Sequence, residues 1–290
     1  MNSELSTYGS FVFIQPPFEE SPQLVFHSNT ILQRFNDKIL YALQEIEGEN
    51  PYCLKRPLGI LLFGAPGQGK TFLANYFARS LNRPYVIVSR HDLLDRKSHE
   101  ISFGFQQLIE QASRVSATVI LKNVETIVPK LDNMRNDLAR LDVANVLDLM
   151  RLCSEKKVFL IATTSRPQDT DAQIGYSGYL NELFYLPFPD EHIRHIILKK
   201  SLDGRPVGDI NYEYLAKASE NFTVANILQV VENAALESAL SKCLISTKCV
   251  LEFIEKNDEK EAKSFRDKYD NMARQLDILN GDKRKTIGFT

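Results

Sequence analysis

The residues best suited to chemistry form one unbroken run. Gly64, Ala65, Pro66, Gly67, Gln68, Gly69, Lys70 and Thr71 spell G-x-x-x-x-G-K-T. Glycines at these positions let backbone N–H groups converge on phosphate oxygens, and a helix starting directly afterwards adds partial positive charge. Lys70 then reaches the β- and γ-phosphates, Thr71 holds Mg²⁺ through its hydroxyl, and Phe72 continues into the helix. The run implies a bound nucleoside triphosphate, with ATP and Mg²⁺ as the expected ligands. No comparable set exists for resident metal or disulfide chemistry. Cys53, Cys153, Cys243 and Cys249 are scattered without C-x-x-C pairing, and His192 and His195 have no carboxylate or cysteine partner close in sequence.

Such a loop works only between a strand and a helix, and the flanking sequence supplies both. The apolar run Leu58–Phe63 precedes it, and an amphipathic stretch from Phe72 to Leu81 follows. Further strands are expected at Tyr85–Ser89, Thr118–Leu121, Val158–Thr163 and Leu183–Pro187, separated by helical stretches over 71–81, 101–114 and 139–153. Near-continuous apolar strands alternating with helices indicate an α/β fold, here a five-stranded parallel sheet flanked by helices. Phe11–Ile14 reads as a short additional strand. Ile31, Phe35, Ile39, Leu43 and Ile46 recur at helical spacing. From about Asp190 the pattern is helical only, which predicts a small all-helical lid. The expected organisation is an N-terminal extension over 1–29, a nucleotide-binding α/β subdomain over 30–190, a helical lid over 191–257 and a charged tail over 258–290. That tail is expected to be a solvated helix or a disordered arm.

Composition narrows the function classes. The 290 residues are 43% hydrophobic and 25% charged, enough for a sizeable core. The formal net charge of −2 argues against bulk attraction to nucleic acid or anionic lipid. No basic start followed by an apolar run suggests a secretory signal, and no apolar run reaches membrane-spanning length. A cytoplasmic protein without nucleic-acid or membrane partners is the resulting expectation.

With the loop, strands and trailing helices in place, roughly residues 30 to 257 resemble the AAA ATPases, the family of spastin, katanin and FtsH. Ala162-Thr-Thr-Ser-Arg-Pro167 is similar to the family's A-T-N-R-P segment. Leu186-Pro-Phe-Pro-Asp190, running into His192–Leu198, is similar to its crossing from the fifth strand to the lid. Phe222-Thr-Val-Ala-Asn-Ile-Leu followed by Val230–Leu236 is similar to its lid segment. The resemblance implies ATP hydrolysis, subunits assembled as homo- or hetero-oligomers with ATP or ADP between them, and chaperone-like work on protein partners.

The same resemblance exposes four departures. The family ends its third strand in Asp-Glu, the Asp for Mg²⁺ and the Glu to polarise water, whereas Lys122 and Asn123 stand there in this chain. Asn can orient a water but cannot take its proton, and a Lys repels Mg²⁺ or assumes its neutralising role. Glu125 can supply a carboxylate only if the correspondence slips by two residues. Ser165 replaces the sensor Asn, keeping one short hydrogen bond. Gly175–Asn181, where the family places arginines that act on a neighbour's γ-phosphate, contains neither Arg nor Lys. In the substrate-gripping loop, Lys97 replaces the aromatic and His99 the glycine. The expectation is an ATP-binding, hydrolysis-impaired regulatory or structural subunit. An active, divergent ATPase using Glu125 is the alternative.

Overall fold

Apolar runs of four to six residues that carry no charge bury both faces when they become strands, and this composition sets the architecture. The computed structural model describes residues 5–8, 11–16, 29–54, 56–94, 100–131, 136–171, 174, 180, 182–256 and 259–275. They fall into two compact units, one of residues up to 63 together with 70–184, the other of 64–69 together with 185–275.

The sheet runs through β1 (Leu5–Tyr8), β2 (Phe11–Ile14), β3 (Gly59–Gly64), β4 (Tyr85–Val88), β5 (Thr118–Leu121), β6 (Phe159–Thr164) and β7 (Glu182–Leu186), in the spatial order β1-β2-β4-β5-β6-β3-β7. Parallel ladders join β4 to β5, β5 to β6 and β6 to β3, with Leu121 opposite Ala162 and Phe63 opposite Thr164. Every residue of β3, β5 and β6 is buried, as strands covered on both faces require. The sheet extends beyond the five expected strands, because β2 pairs antiparallel with β4 and carries β1 as an antiparallel hairpin partner. β3 lies between β6 and β7, although the chain leaves it towards β4. It therefore ends at a point where the winding reverses, the place where open α/β sheets bind ligands beyond their strands' carboxyl ends.

In the first unit the sheet is flanked by α1 (Asn29–Phe35), a π-turn segment (Asn36–Leu40), α2 (Tyr41–Glu47), α3 (Lys70–Ser80), α4 (Arg90–Leu93), α5 (Ile101–Arg114) and α6 (Asp137–Glu155). α5 begins without a side-chain cap of its own. Asp142 of α6 accepts from the N–H groups of Ile101 and Ser102 at 2.9 and 2.8 Å, satisfying orphan donors and placing a carboxylate at the positive helix end. The expected single helix over 31–46 is interrupted by its π-turn. Successive apolar spacings of four advance a 3.6-residue helix by about 40° each, so Phe35, Ile39 and Leu43 would drift off one face. One wider turn keeps all three buried. Phe35 then stacks on Phe77 of α3 with ring centroids 3.8 Å apart. Arg34 reaches the buried Glu182 at 3.0 Å.

The second unit contains α7 (Glu191–Leu202), α8 (Tyr212–Ala218), α9 (Val224–Leu240), α10 (Thr247–Glu255) and α11 (Glu259–Gln275). Leu198, Leu215, Val231, Ile245 and Val250 lie at its centre, each 1% exposed or less. The solvated or disordered tail expected after residue 257 differs from what residues 259–275 do. They form a helix docked along one face: Tyr269 and Ala273 are buried, Phe265 meets Phe188 edge-on, and the Tyr185 hydroxyl donates to Asp270 at 2.7 Å. Positions 265, 269 and 273 share a helix face, and that stripe outweighs the charge around it. Residues 276–290, with the basic Lys283–Lys285 end, lie outside the described residues. Among the described residues, no helix is long and apolar enough to cross a membrane.

Candidate functional site

The buried β3 delivers the chain into the loop Gly64–Gly69, which belongs to the second unit. Gly67 and Gly69 have φ of +83° and +80°, a left-handed conformation that side chains resist. Steric room is also limiting: a Cβ on Gly67 would lie 2.8 Å from Ala225 Cβ and 2.9 Å from Thr223 Oγ1. The loop is tied at this crest, since Ala225 donates its backbone N–H to the Gly67 carbonyl at 3.0 Å. Thr223 caps α9, its Oγ1 accepting from the Asn226 N–H at 3.1 Å. The start of the lid helix therefore clasps the crest of the loop. Pro66 and Gly67 are exposed, whereas Ala65 and Gln68 are buried. Gln68 is only 1% exposed, and neither its Nε2 nor its Oε1 has a hydrogen-bond partner among the described residues.

In the first unit, α3 opens with Lys70, Thr71 and Phe72. Lys70 is buried, and the loss of solvation pushes its ammonium down to about 8, with the charge of Glu125 opposing that fall. Thr71 is exposed in the first helical turn. Phe72 is 39% exposed.

Beyond β5 the chain turns sharply. Asn123 takes a left-handed conformation, φ 52° and ψ 58°, and a short 3₁₀ turn over Val124–Thr126 follows. Lys122 is half-buried and extends the sheet pairing through its N–H to Val88 O at 2.8 Å. Asn123 is exposed, its N–H donating to Thr163 Oγ1 at 3.3 Å. Glu125 points inward. Its side chain is 4% exposed, Oε1 lies 3.9 Å from Arg166 Nε, and Oε2 has no hydrogen-bond partner among the described residues. Arg166 also faces Asp169 at 3.6 Å. Ser165, just after β6, is half-buried.

Lys122, Asn123 and Ser165 thus follow the carboxyl ends of the paired strands β5 and β6, and Glu125 couples to Lys70. Lys97 and His99 of the gripping loop, and Gly175–Tyr179 with Asn181 of the arginine stretch, lie outside the described residues. Sequence reasoning missed the burial of Gln68, the Glu125–Arg166 pair and the clasp of Thr223 and Ala225 on Gly67. A polar residue between two glycines carries no burial signal of its own, and the other two contacts join segments far apart in sequence.

Residues 60–188 match the ATPase family associated with various cellular activities (AAA). The chain is 32% identical over 187 residues to a cell division cycle protein 48 homolog of Archaeoglobus fulgidus, covering 63% of this chain and 26% of that protein. It is 28% identical over 214 residues to a "cell division cycle ATPase" of Plasmodium falciparum, covering 72% of this chain and 17% of that protein. The chain therefore spans about a quarter or less of the length of these curated relatives. Among solved structures, the FIGL-1 AAA domain in complex with ADP superposes with a TM-score of 0.71 at 15% identity, over 87% of this chain and 89% of that one, which establishes the fold.

Proposed function

Given that the chain belongs to the AAA family, we propose that it binds ATP but hydrolyses it poorly, acting as a nucleotide-dependent regulatory or structural subunit of a protein-remodelling assembly. The residues present fit a nucleoside triphosphate: positive-φ glycines at the crest of the loop, a buried lysine at the start of α3 and an exposed Thr71 hydroxyl beside it. Mg²⁺ bound with the nucleotide would neutralise charge on the β- and γ-phosphates, and Thr71 would hold it. The observation that carries impairment is the end of β5. A half-buried ammonium and an exposed carboxamide follow the strand there, with no proton acceptor in either position. Losing a general base typically lowers rate by roughly 10²–10⁴-fold.

The active-ATPase reading has one observation in its favour, the buried Glu125 carboxylate with an unpartnered Oε2 and an electrostatic link to Lys70. One pair of measurements separates the two. We expect purified protein to bind ATP in a calorimetric titration while showing little phosphate release with Mg²⁺. Robust turnover that disappears in Glu125→Gln would establish the active reading, and absence of nucleotide binding would remove both.

A further inference from the structure

A surface helix ordinarily carries one apolar face, turned to the core, and α6 carries two. Val143, Val146, Leu147, Met150 and Cys153 are buried in the core of the first unit. On another side of the helix, Leu138, Leu141, Leu149 and Leu152 recur at helical spacing, with Asn145 in the same row. Leu138 is 77% exposed and Leu141 58%, and Phe103 of the adjoining α5 is 48% exposed. Between the two helices lies a cavity of about 350 Å³, with Phe103, Leu149 and Leu152 as its apolar wall and Gln106 and Asn145 as polar lining. Its charged lining residues, Glu100 and Asp148, are both acidic. Asp148 meets Arg151 only at 3.9 Å, with both side chains exposed, a contact worth little. Arg140 and Arg151, the basic residues of α6, lie roughly 120–140° around the helix from the centre of the leucine row.

We propose that the groove between α5 and α6 docks an amphipathic helix of another protein, with leucine-like anchors along one face and lysine or arginine beside them. An exposed apolar patch with a polar rim marks an interaction site. The row from Leu138 to Leu152 is about 21 Å long, four turns of a partner helix, and runs past the cavity, whose lining includes neither Leu138 nor Leu141. Charge decides the partner's flanks: the carboxylates of Glu100 and Asp148 attract cations and repel acidic segments. It also disfavours a second copy of this chain, because in a two-fold contact the same patch meets itself and sets these carboxylates against one another. The surface is separate from the phosphate loop and does not depend on the nucleotide-binding reading.

The test titrates the whole chain with synthetic helical peptides of about four turns, followed by fluorescence anisotropy. One has leucines on a single face and lysines at its flanks, the second scrambles that composition, and the third replaces lysine by glutamate. The first should bind at least about tenfold more tightly than either of the others. Phe103→Gln with Leu152→Gln, and separately Leu141→Gln, alter exposed side chains and should leave the unfolding temperature unchanged. The double variant should weaken the leucine–lysine peptide about tenfold, and Asp148→Lys should weaken it about threefold while improving the glutamate peptide. No binding of the leucine–lysine peptide, or equal binding of the scrambled one, would overturn the proposal. So would variants that bind it as wild type does. Self-association in sedimentation that the double variant abolishes would assign the groove to a second copy and overturn the proposed occupant.

Discussion

After β3 the chain keeps each residue type that holds phosphate: glycines in left-handed conformation, a buried lysine and an exposed threonine. After β5 the backbone is just as regular, but the side chains on it are of a different kind. The strand, the left-handed turn at Asn123 and the 3₁₀ turn are all in place, yet Lys122 and Asn123 supply no carboxylate. The comparison separates two requirements that usually travel together. Gripping a polyphosphate needs converging donors and one cation, whereas cleaving it needs an oriented metal and a proton acceptor. A substitution that removes the proton acceptor can therefore abolish turnover and leave binding untouched.

The largest expected effect lies on the binding side. Lys70→Ala should weaken ATP by at least about 100-fold, the order expected from losing charge-assisted hydrogen bonds to two phosphates. Calorimetric affinities for the two proteins check this, and equal values would break the comparison at its first half. On the chemical side, Lys122→Asp combined with Asn123→Glu should raise turnover by about 10²-fold, measured as phosphate release against wild type. The rise should stay below the full 10⁴-fold ceiling for a general base because no cross-subunit arginine is present in 175–181.

The state of Lys70 gives the comparison a pH axis. Burial lowers its ammonium from the ordinary 10.5 to about 8. Below pH 8 the group is charged in both folded and unfolded chains, and the folded state bears the desolvation penalty. Between about pH 8 and 10.5 the folded lysine releases its proton while the unfolded one retains it, so this group's contribution to stability rises across that window. Binding should move the opposite way. ATP affinity should be level below pH 8 and fall by up to about tenfold per unit above it, with proton uptake on binding. Titrations at pH 7, 8 and 9 in buffers of different ionisation enthalpy read both quantities. In Lys70→Ala the pH dependence should vanish.

The unequal fates of the two places were partly legible from sequence. The β3 loop announces itself because its glycines and lysine are consecutive, and the strands read correctly to within a residue because Leu58–Phe63 and Val158–Thr163 carry no charge. β1 was not legible: Leu5-Ser-Thr-Tyr8 has no apolar alternation and owes its place to backbone pairing with β2. Nor was the docking of residues 259–275, where three stripe positions sit among fourteen other residues, twelve of them charged or polar, in the same helix. At the site, the identities of Lys122 and Asn123 could be read, but the inward turn of Glu125 could not. That turn depends on Asn123 accepting a left-handed backbone, which short polar side chains tolerate and sequence patterns do not mark.

The smallest expected effect concerns the metal. Lys122 follows β5 directly, half-buried, with its main chain fixed to Val88. If its ammonium faces the phosphates it substitutes in part for Mg²⁺, since two charges about 4 Å apart at a protein surface interact by several kcal/mol before solvation is counted. ATP affinity in EDTA and in excess Mg²⁺ should then differ by only a few-fold. Lys122→Asp should reverse this, giving a carboxylate that needs the cation to sit beside phosphate, so that EDTA weakens ATP far more than in wild type. The competing geometry has the lysine stem lying along apolar surface with its head in water. In that case wild-type affinity collapses without metal, and Lys122→Asp changes it little in EDTA. The four titrations decide whether the Lys122 ammonium stands beside the phosphates or turns its head to water.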